Sequence, residues 1–271
     1  MSDNGWPADR IDTGSAHSAR IYDYILGGAD YYPADKEAGD AMCVEWPALP
    51  VHMRANRDWM HRAVRYLAAE AGVRQFLDIG TGIPTSPNLH EIAQEVAPDA
   101  RVVYMDNDPI VLSLSRGLLT STPEGRTAYV EADMRDPAGV LAAPELRATL
   151  DLDRPVGLTV IAIVHFVLDE DDAVGIVQRL LEPLAPGSYL AMTIGTADFA
   201  PEEIGRVSGE YAARGMPMRL RDRPEAEAFF AGLDLVDPGV VQVHRWRPDG
   251  TEPAGIRDED IGMYGGVGRK P

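Results

Sequence analysis

The apolar positions of this chain change period as it is read. Phe76-Leu77-Asp78-Ile79 is too short for a helix and is closed at once by Gly80-Thr81-Gly82, the pattern of a buried parallel strand entering a tight turn. Leu89, Ile92, Ala93 and Val96 then recur at three- and four-residue spacing, with Asn88 or Ser86 as the cap and Pro98 as the stop. Arg101–Met105 reads as a second strand ending in Asp106, and Val111, Leu112, Leu114, Leu118 and Leu119 mark a second crossover helix. A third strand follows at Thr127–Glu131. Gly157–Val164, GLTVIAIV, is the most apolar run and predicts a central strand covered on both faces. Asp169–Leu184 reads as a helix whose first turn is rich in acids, Ser188–Ile194 as a strand, and Pro201–Arg214 and Pro224–Ala231 as helices. Val240–Trp246 and Ile261–Arg269 complete seven strands. Strands alternating with helices predict an α/β, doubly wound, mostly parallel seven-stranded sheet.

Before this core the pattern is helical. Met1–Ala16 is polar, holds Gly5, Pro7 and Gly14, and reads as a poorly ordered start. In Ser18–Tyr32, Ile21, Tyr24 and Ile25 share a helical face that Gly27-Gly28 ends, with Tyr31 and Tyr32 beyond the turn. Val51–Ala71 carries Trp59, Ala63, Tyr66 and Leu67 as an apolar stripe leading into the first strand. Residues 1–74 are therefore expected to be a helical or lid segment on a nucleotide-binding domain of residues 75–271, the two making one compact domain. Tyr22, Tyr24, Tyr31 and Tyr32 have two readings: an aromatic face packed across the domain, or the wall and lid of a substrate pocket hinged at Gly27-Gly28.

Strand, glycine turn, helix, strand, acid is a nucleotide-binding half. Gly80 and Gly82 let the backbone approach a ligand, and Asp106 can accept both hydrogen bonds of a ribose diol. A dinucleotide fingerprint requires a third glycine where Thr85 stands, beside Pro84. Asp78, just ahead of the glycines, would repel a pyrophosphate and hold an ammonium group. S-adenosylmethionine carries such a group. Here the sequence resembles the class I S-adenosylmethionine-dependent methyltransferases, whose first motif is an acid followed by G-x-G and whose second is the ribose-binding acid; Asp78, Gly80, Gly82 and Asp106 match one for one. The strings D-I-G-T-G-x-P-T at Asp78–Thr85 and D-N-D-P at Asp106–Pro109, together with Ala19–Asp30, Leu150–Asp172 and Gly187–Ile194, resemble the actinobacterial S-adenosyl methyltransferase family formerly known only as a domain of unknown function.

The resemblance implies a Rossmann-like methyltransferase fold and S-adenosylmethionine as cofactor, held by Asp78, Gly80, Thr81, Gly82, Pro84, Asp106, Asn107, Asp133 and Met134. Within it Asp133 accepts the adenine amino group and Met134 packs on the ring, against the plain alternative that Asp133 caps a helix before Pro137. Arg57, on the second helix, is placed to hold the cofactor carboxylate in bidentate fashion, against a solvated arginine among Arg54, Arg62 and Arg65. His165, after the central strand, is either a base that takes a proton from the methyl acceptor or a structural residue at the cofactor rim.

Composition narrows the partners. A net charge of −18, with no basic block, disfavours DNA or RNA as substrate. No apolar run approaches a membrane span and no hydrophobic signal segment opens the chain, so a cytoplasmic protein is expected, without a membrane partner. The single cysteine, Cys43, excludes internal disulfides and a cysteine-ligated iron–sulfur cluster, and no metal site is expected. The oligomeric state is not legible. The leading reading is methyl transfer to an unidentified acceptor, a small molecule before a protein. Alternatives are a cofactor-binding regulatory or partner protein without transfer, and an NAD(P)-dependent oxidoreductase. The last conflicts with Asp78 and Thr85, and its Tyr32-x-x-x-Lys36 string precedes the glycine turn and contains Pro33.

Overall fold

The computed structural model describes residues 12–111, 120–250, 253 and 255–271. The second crossover helix expected at Val111–Leu119 lies, beyond Val111, outside the described residues, as does most of the polar start. Among those described, β1 (Gln75–Ile79) pairs in parallel with β2 (Arg101–Asp106) on one side and β4 (Gly157–Val160) on the other. β3 (Arg126–Glu131) continues the parallel sheet beyond β2, and β5 (Tyr189–Gly195) beyond β4. β8 (Met263–Arg269) runs antiparallel on β5 and carries β6 (Asp234–Leu235) and β7 (Val241–Gln242). The order is β3-β2-β1-β4-β5-β8-β6, so the direction of winding reverses between β1 and β4. A crevice opens at the carboxyl ends of the strands at such a switch point.

Alternation explains why the central strands are apolar throughout. On β1, Leu77 and Ile79 enter one core, with Val103, Leu158 and Leu190, while Phe76 enters the opposite core, with Val102, Trp59 and Ala93.

Four expectations change. Among the described residues the sheet has eight strands, the addition being Asp234–Leu235. The strand expected at Val240–Trp246 stops at Gln242, because Val243–Arg245 is a 3-10 turn whose Val243 and Trp246 carbonyls accept from the buried Arg62 side chain at 2.7 and 3.1 Å. The run Gly157–Val164 leaves the sheet after Val160: Ala162 takes a left-handed φ of 54° and donates its N–H to Thr193 Oγ1, and Val164–Phe166 is a 3-10 turn. A long apolar run records burial here, not strand length. Likewise the helix expected from Asp169 begins only at Ala173, capped by Asp172, and ends at Leu181.

The N-terminal part forms α1 (Ser18–Ile25), α2 (Pro33–Glu45) and α3 (Leu49–Ala69). α2 was not anticipated, because its buried side includes Gly39 and Ala38, which give no apolar stripe. A Cβ on Gly39 would stand 2.6 Å from the Tyr24 ring, so glycine is what lets α1 and α2 touch. Asp35, fully buried, accepts the N–H groups of His17 and Tyr32, both at 2.8 Å, and pairs with Arg20. Ile21, Ala38, Met42, Trp46 and Met53 then join Ile204, Val207 and Tyr211 of the Pro201–Ala213 helix in a third apolar cluster, separate from the two that cover the sheet. No helix among the described residues is long and apolar enough to cross a membrane.

Candidate active site

The crevice is a cavity of about 620 Å³ between the carboxyl ends of β1, β2, β4 and β5 and the helical cap. Its floor is the turn after β1. Gly80 and Gly82 have φ of +70° and +67°, and the N–H groups of Gly80 and Thr81 both donate to Met105 O of β2, at 2.8 and 3.1 Å. The left-handed geometry is why glycine stands at both positions. The neighbours differ: a Cβ at Gly80 would meet Ile163 at 2.7 Å, whereas one at Gly82 would meet nothing within 4 Å.

Two buried acids stand over this turn. Asp106 ends β2; its Oδ2 accepts the Gly82 N–H and its Oδ1 the Asp108 N–H, each at 2.9 Å. A carboxylate has about four lone-pair sites, so two remain for a ligand. Burial pushes its pKa up, against the two backbone donors. Asp78 accepts from Thr159 Oγ1 at 2.5 Å, and burial raises its carboxyl to about 6, with the Asp106 charge adding to the rise and Arg57 opposing it. Asp78 is thus mostly ionised at neutral pH and gains from a cation placed beside it.

Of the residues singled out by sequence, Arg57, Asp78, Gly80, Thr81, Gly82, Asp106, Asn107, Asp133, Met134, His165 and Tyr22 all line the cavity. Asp133 is paired with Arg135 at 2.6 Å, which lowers its pKa; the helix beginning at Pro137 is capped by Asp136 instead. Arg57 donates to Pro87 O at 3.1 Å and keeps further N–H groups.

Four expected residues lie elsewhere. Pro84 does not line the cavity. Tyr24 points to Lys36 and Asp40 and packs against Tyr31, and Tyr32 lies under Arg20. Tyr22 and Tyr24 sit about 200° apart around a helix, so one face of α1 cannot bring both to the cavity. Tyr22 alone does so, donating to Met53 O at 2.8 Å and accepting from Asn56 Nδ2 at 3.3 Å. Lys36 is exposed on α2, so the Tyr32–Lys36 string forms no site.

His165 is buried on the 3-10 turn after Ala162. Burial, then the neighbouring His52 and Arg221 charges, push its pKa down to about 3. Its imidazole is neutral across the physiological range.

The structure also supplies lining residues that the sequence did not single out: His17, Trp46, His52, Phe166, Tyr211, Met216 and Met218. The i, i+3, i+7 spacing of Ile204, Val207 and Tyr211 signalled an apolar helix face, but not that it meets the cap. Nothing in the sequence marked His52 or Trp46.

A family model described as S-adenosyl methyltransferase matches residues 4–271. Among solved structures, a DUF574 family protein from Streptomyces avermitilis MA-4680 is 80% identical over 96% of this chain and 99% of its own, with a TM-score of 0.95. A protein described as a putative methyltransferase, from Thermobifida fusca YX, is 37% identical over 98% of this chain and 99% of its own, with a TM-score of 0.86. An O-methyltransferase family protein from Burkholderia thailandensis, 15% identical over 78% of this chain and 55% of its own, shares the fold at a TM-score of 0.51. No curated protein matches.

Proposed function

The chain belongs to the S-adenosyl methyltransferase family, and from that premise we propose that the crevice binds S-adenosylmethionine along β1 and β2 and receives a small-molecule methyl acceptor under the cap. When bound, the cofactor supplies a methyl group activated on a sulfonium. The observation that carries the reading is the juxtaposition of Asp78, the Gly80–Gly82 turn and Asp106 on one wall of one cavity.

The residues fit the cofactor. Asp106 has two free lone-pair sites for a ribose diol, and Asp78 supplies a buried negative charge for an ammonium group. The side of Gly82 on which a Cβ would stand is open, so the backbone can be approached there. Arg57 lines the same cavity, within the field of Asp78, where its guanidinium suits a carboxylate. Met134 and Asp133 provide an apolar side and an acceptor for adenine, with the Arg135 pair sharing the Asp133 oxygens. His165 we assign to shaping the acceptor side, since its neutral ring has little basicity.

Residues 1–74 act in this reading as a cap on a cofactor-binding domain of residues 75–271, in one compact cytoplasmic protein. Calorimetric titration with S-adenosylmethionine, S-adenosylhomocysteine and NAD tests the reading. Saturable binding of the first two and none of the third is expected; the reverse preference would overturn it.

A further inference from the structure

We propose that the acceptor side of the cavity takes an uncharged aromatic molecule bearing a hydroxyl group, seated among the rings of Trp46, Phe166 and Tyr211. The inference rests on the methyl-transfer reading for there being an acceptor at all. Its chemistry comes from the walls.

The walls are aromatic. Trp46 packs on His52 with centroids 5.0 Å apart, His165 on Phe166 at 4.5 Å, and Phe166 edge-on to Tyr211 at 5.6 Å; all five rings line the cavity. Met53, Met216 and Met218 fill the spaces between them, and such thioethers adapt to flat apolar ligands.

The walls are also uncharged. The titratable groups here are Tyr22 and Tyr211, whose pKa values burial raises, and His52 and His165, whose pKa values burial lowers to about 4 and about 3. Asp23, the one carboxylate on α1–α3 that lines the cavity, is occupied with the Asp30 N–H and lies within the field of Arg57. Behind His165, the buried Arg221 donates to the carbonyls of Val164 and Val167 at 3.1 and 3.0 Å. With the Arg219 carbonyl and Asp169 at 3.9 Å also drawn to it, this guanidinium is engaged within the protein and does not offer a ligand carboxylate a dedicated partner.

Polar atoms remain here for a ligand group: Asn56 Oδ1 and His165 Nδ1 are buried on these walls without a partner among the described residues. His52 Nδ1 accepts the Gly262 N–H at 3.1 Å, which places the imidazole proton on Nε2. Neither that N–H nor the Tyr211 hydroxyl has a protein partner among the described residues. A hydroxyl both donates and accepts, and so suits a wall that offers both an N–H donor at His52 and an acceptor at Asn56 Oδ1.

Calorimetry on the full chain with 2-naphthol, naphthalene, 2-naphthoate and 2-naphthylmethylammonium tests the proposal, with S-adenosylhomocysteine titrated separately. Naphthol should bind at least ~10-fold more tightly than either charged analogue and roughly 5-fold more tightly than naphthalene, the difference of one net hydrogen bond. Tyr211→Phe should bring naphthol down toward naphthalene and leave naphthalene unchanged, and Phe166→Ala should weaken both. S-adenosylhomocysteine affinity in both variants reports that the fold is intact. If S-adenosylhomocysteine binds while all four probes fail, or a charged probe matches naphthol, the aromatic-hydroxyl assignment is wrong and the cofactor reading stands. If S-adenosylhomocysteine itself does not bind, the methyl-transfer reading falls, and the acceptor role of these walls falls with it.

Discussion

His17 Nδ1 stands 3.1 Å from Oδ2 of Asp108, which brings the start of the first helix against the loop that follows Asp106. The same Nδ1 lies 3.4 Å from the Ala19 N, which it caps when unprotonated and releases for Asp108 when it carries the proton, while the His17 backbone N–H donates to the buried Asp35. One side chain therefore couples the order of the cap to the wall of the cavity opposite it.

His17→Ala should loosen this coupling without unfolding the sheet. Losing a capping side chain costs about 0.5–2 kcal/mol locally. Hydrogen exchange should show Ser18–Ile25 exchanging faster, Gln75–Ile79 unchanged, and S-adenosylhomocysteine dissociating faster. Unaltered exchange in the first helix would mean that the contact holds nothing in place.

Asp106→Ala should weaken S-adenosylmethionine binding by roughly 1.5–3 kcal/mol, the scale of hydrogen bonds to a charged group. The Gly82 and Asp108 N–H groups lose their acceptor in the same variant, so Asp106→Asn, which keeps an oxygen, should lose less. Calorimetry giving wild-type affinity for the folded alanine variant would remove Asp106 from the ribose position.

Asp78 sets up a conflict between stability and binding. Its carboxyl titrates near 6 in the fold against 3.8 for the ordinary group, so ionising it costs the folded state. The cost is absent below about pH 4, grows as pH rises toward 6, and is constant above, reaching roughly 2–3 kcal/mol. Asp78→Asn should accordingly be more stable than wild type in urea at pH 7.5, with the gap closing by pH 4. Wild-type affinity for S-adenosylmethionine should rise with pH through about 6, and the variant's should stay low and flat. A variant that is no more stable at pH 7.5 would contradict the burial argument.

Gly80 and Gly82 should fail differently. Gly80→Val forces a β-branched residue into a left-handed φ and its Cβ into Ile163, so it should lower the unfolding temperature as well as abolish binding. Sequence assigns both glycines the same part, letting the backbone approach a ligand; their surroundings differ, since the Cβ side of Gly80 is filled by Ile163 and that of Gly82 is open. Gly82→Ala meets no protein atom and should cost about 1–3 kcal/mol of backbone strain while removing S-adenosylmethionine affinity. Paired melting curves and titrations distinguish the two; equal thermal losses would count against the contrast.

What the sequence determined by itself is local. Asp78, Gly80, Gly82 and Asp106 are legible because a strand end, a left-handed turn and a following strand are written in contiguous residues, and parallel pairing of adjacent strands brings them to one wall. Period also gave the helices at Leu89–Val96 and Leu49–Ala69, with small shifts at the ends of the latter. Tertiary structure decided the rest. Whether GLTVIAIV stayed a strand depended on Ala162 meeting Thr193 on a neighbouring strand, and whether Val243–Trp246 paired depended on the side chain of Arg62. Trp46 and Tyr211 line one cavity because the helices around Met42 and Val207 share an apolar cluster. Burial reads alike in a sequence whichever neighbour supplies it, so the cofactor side could be found from motif and the acceptor side only from packing.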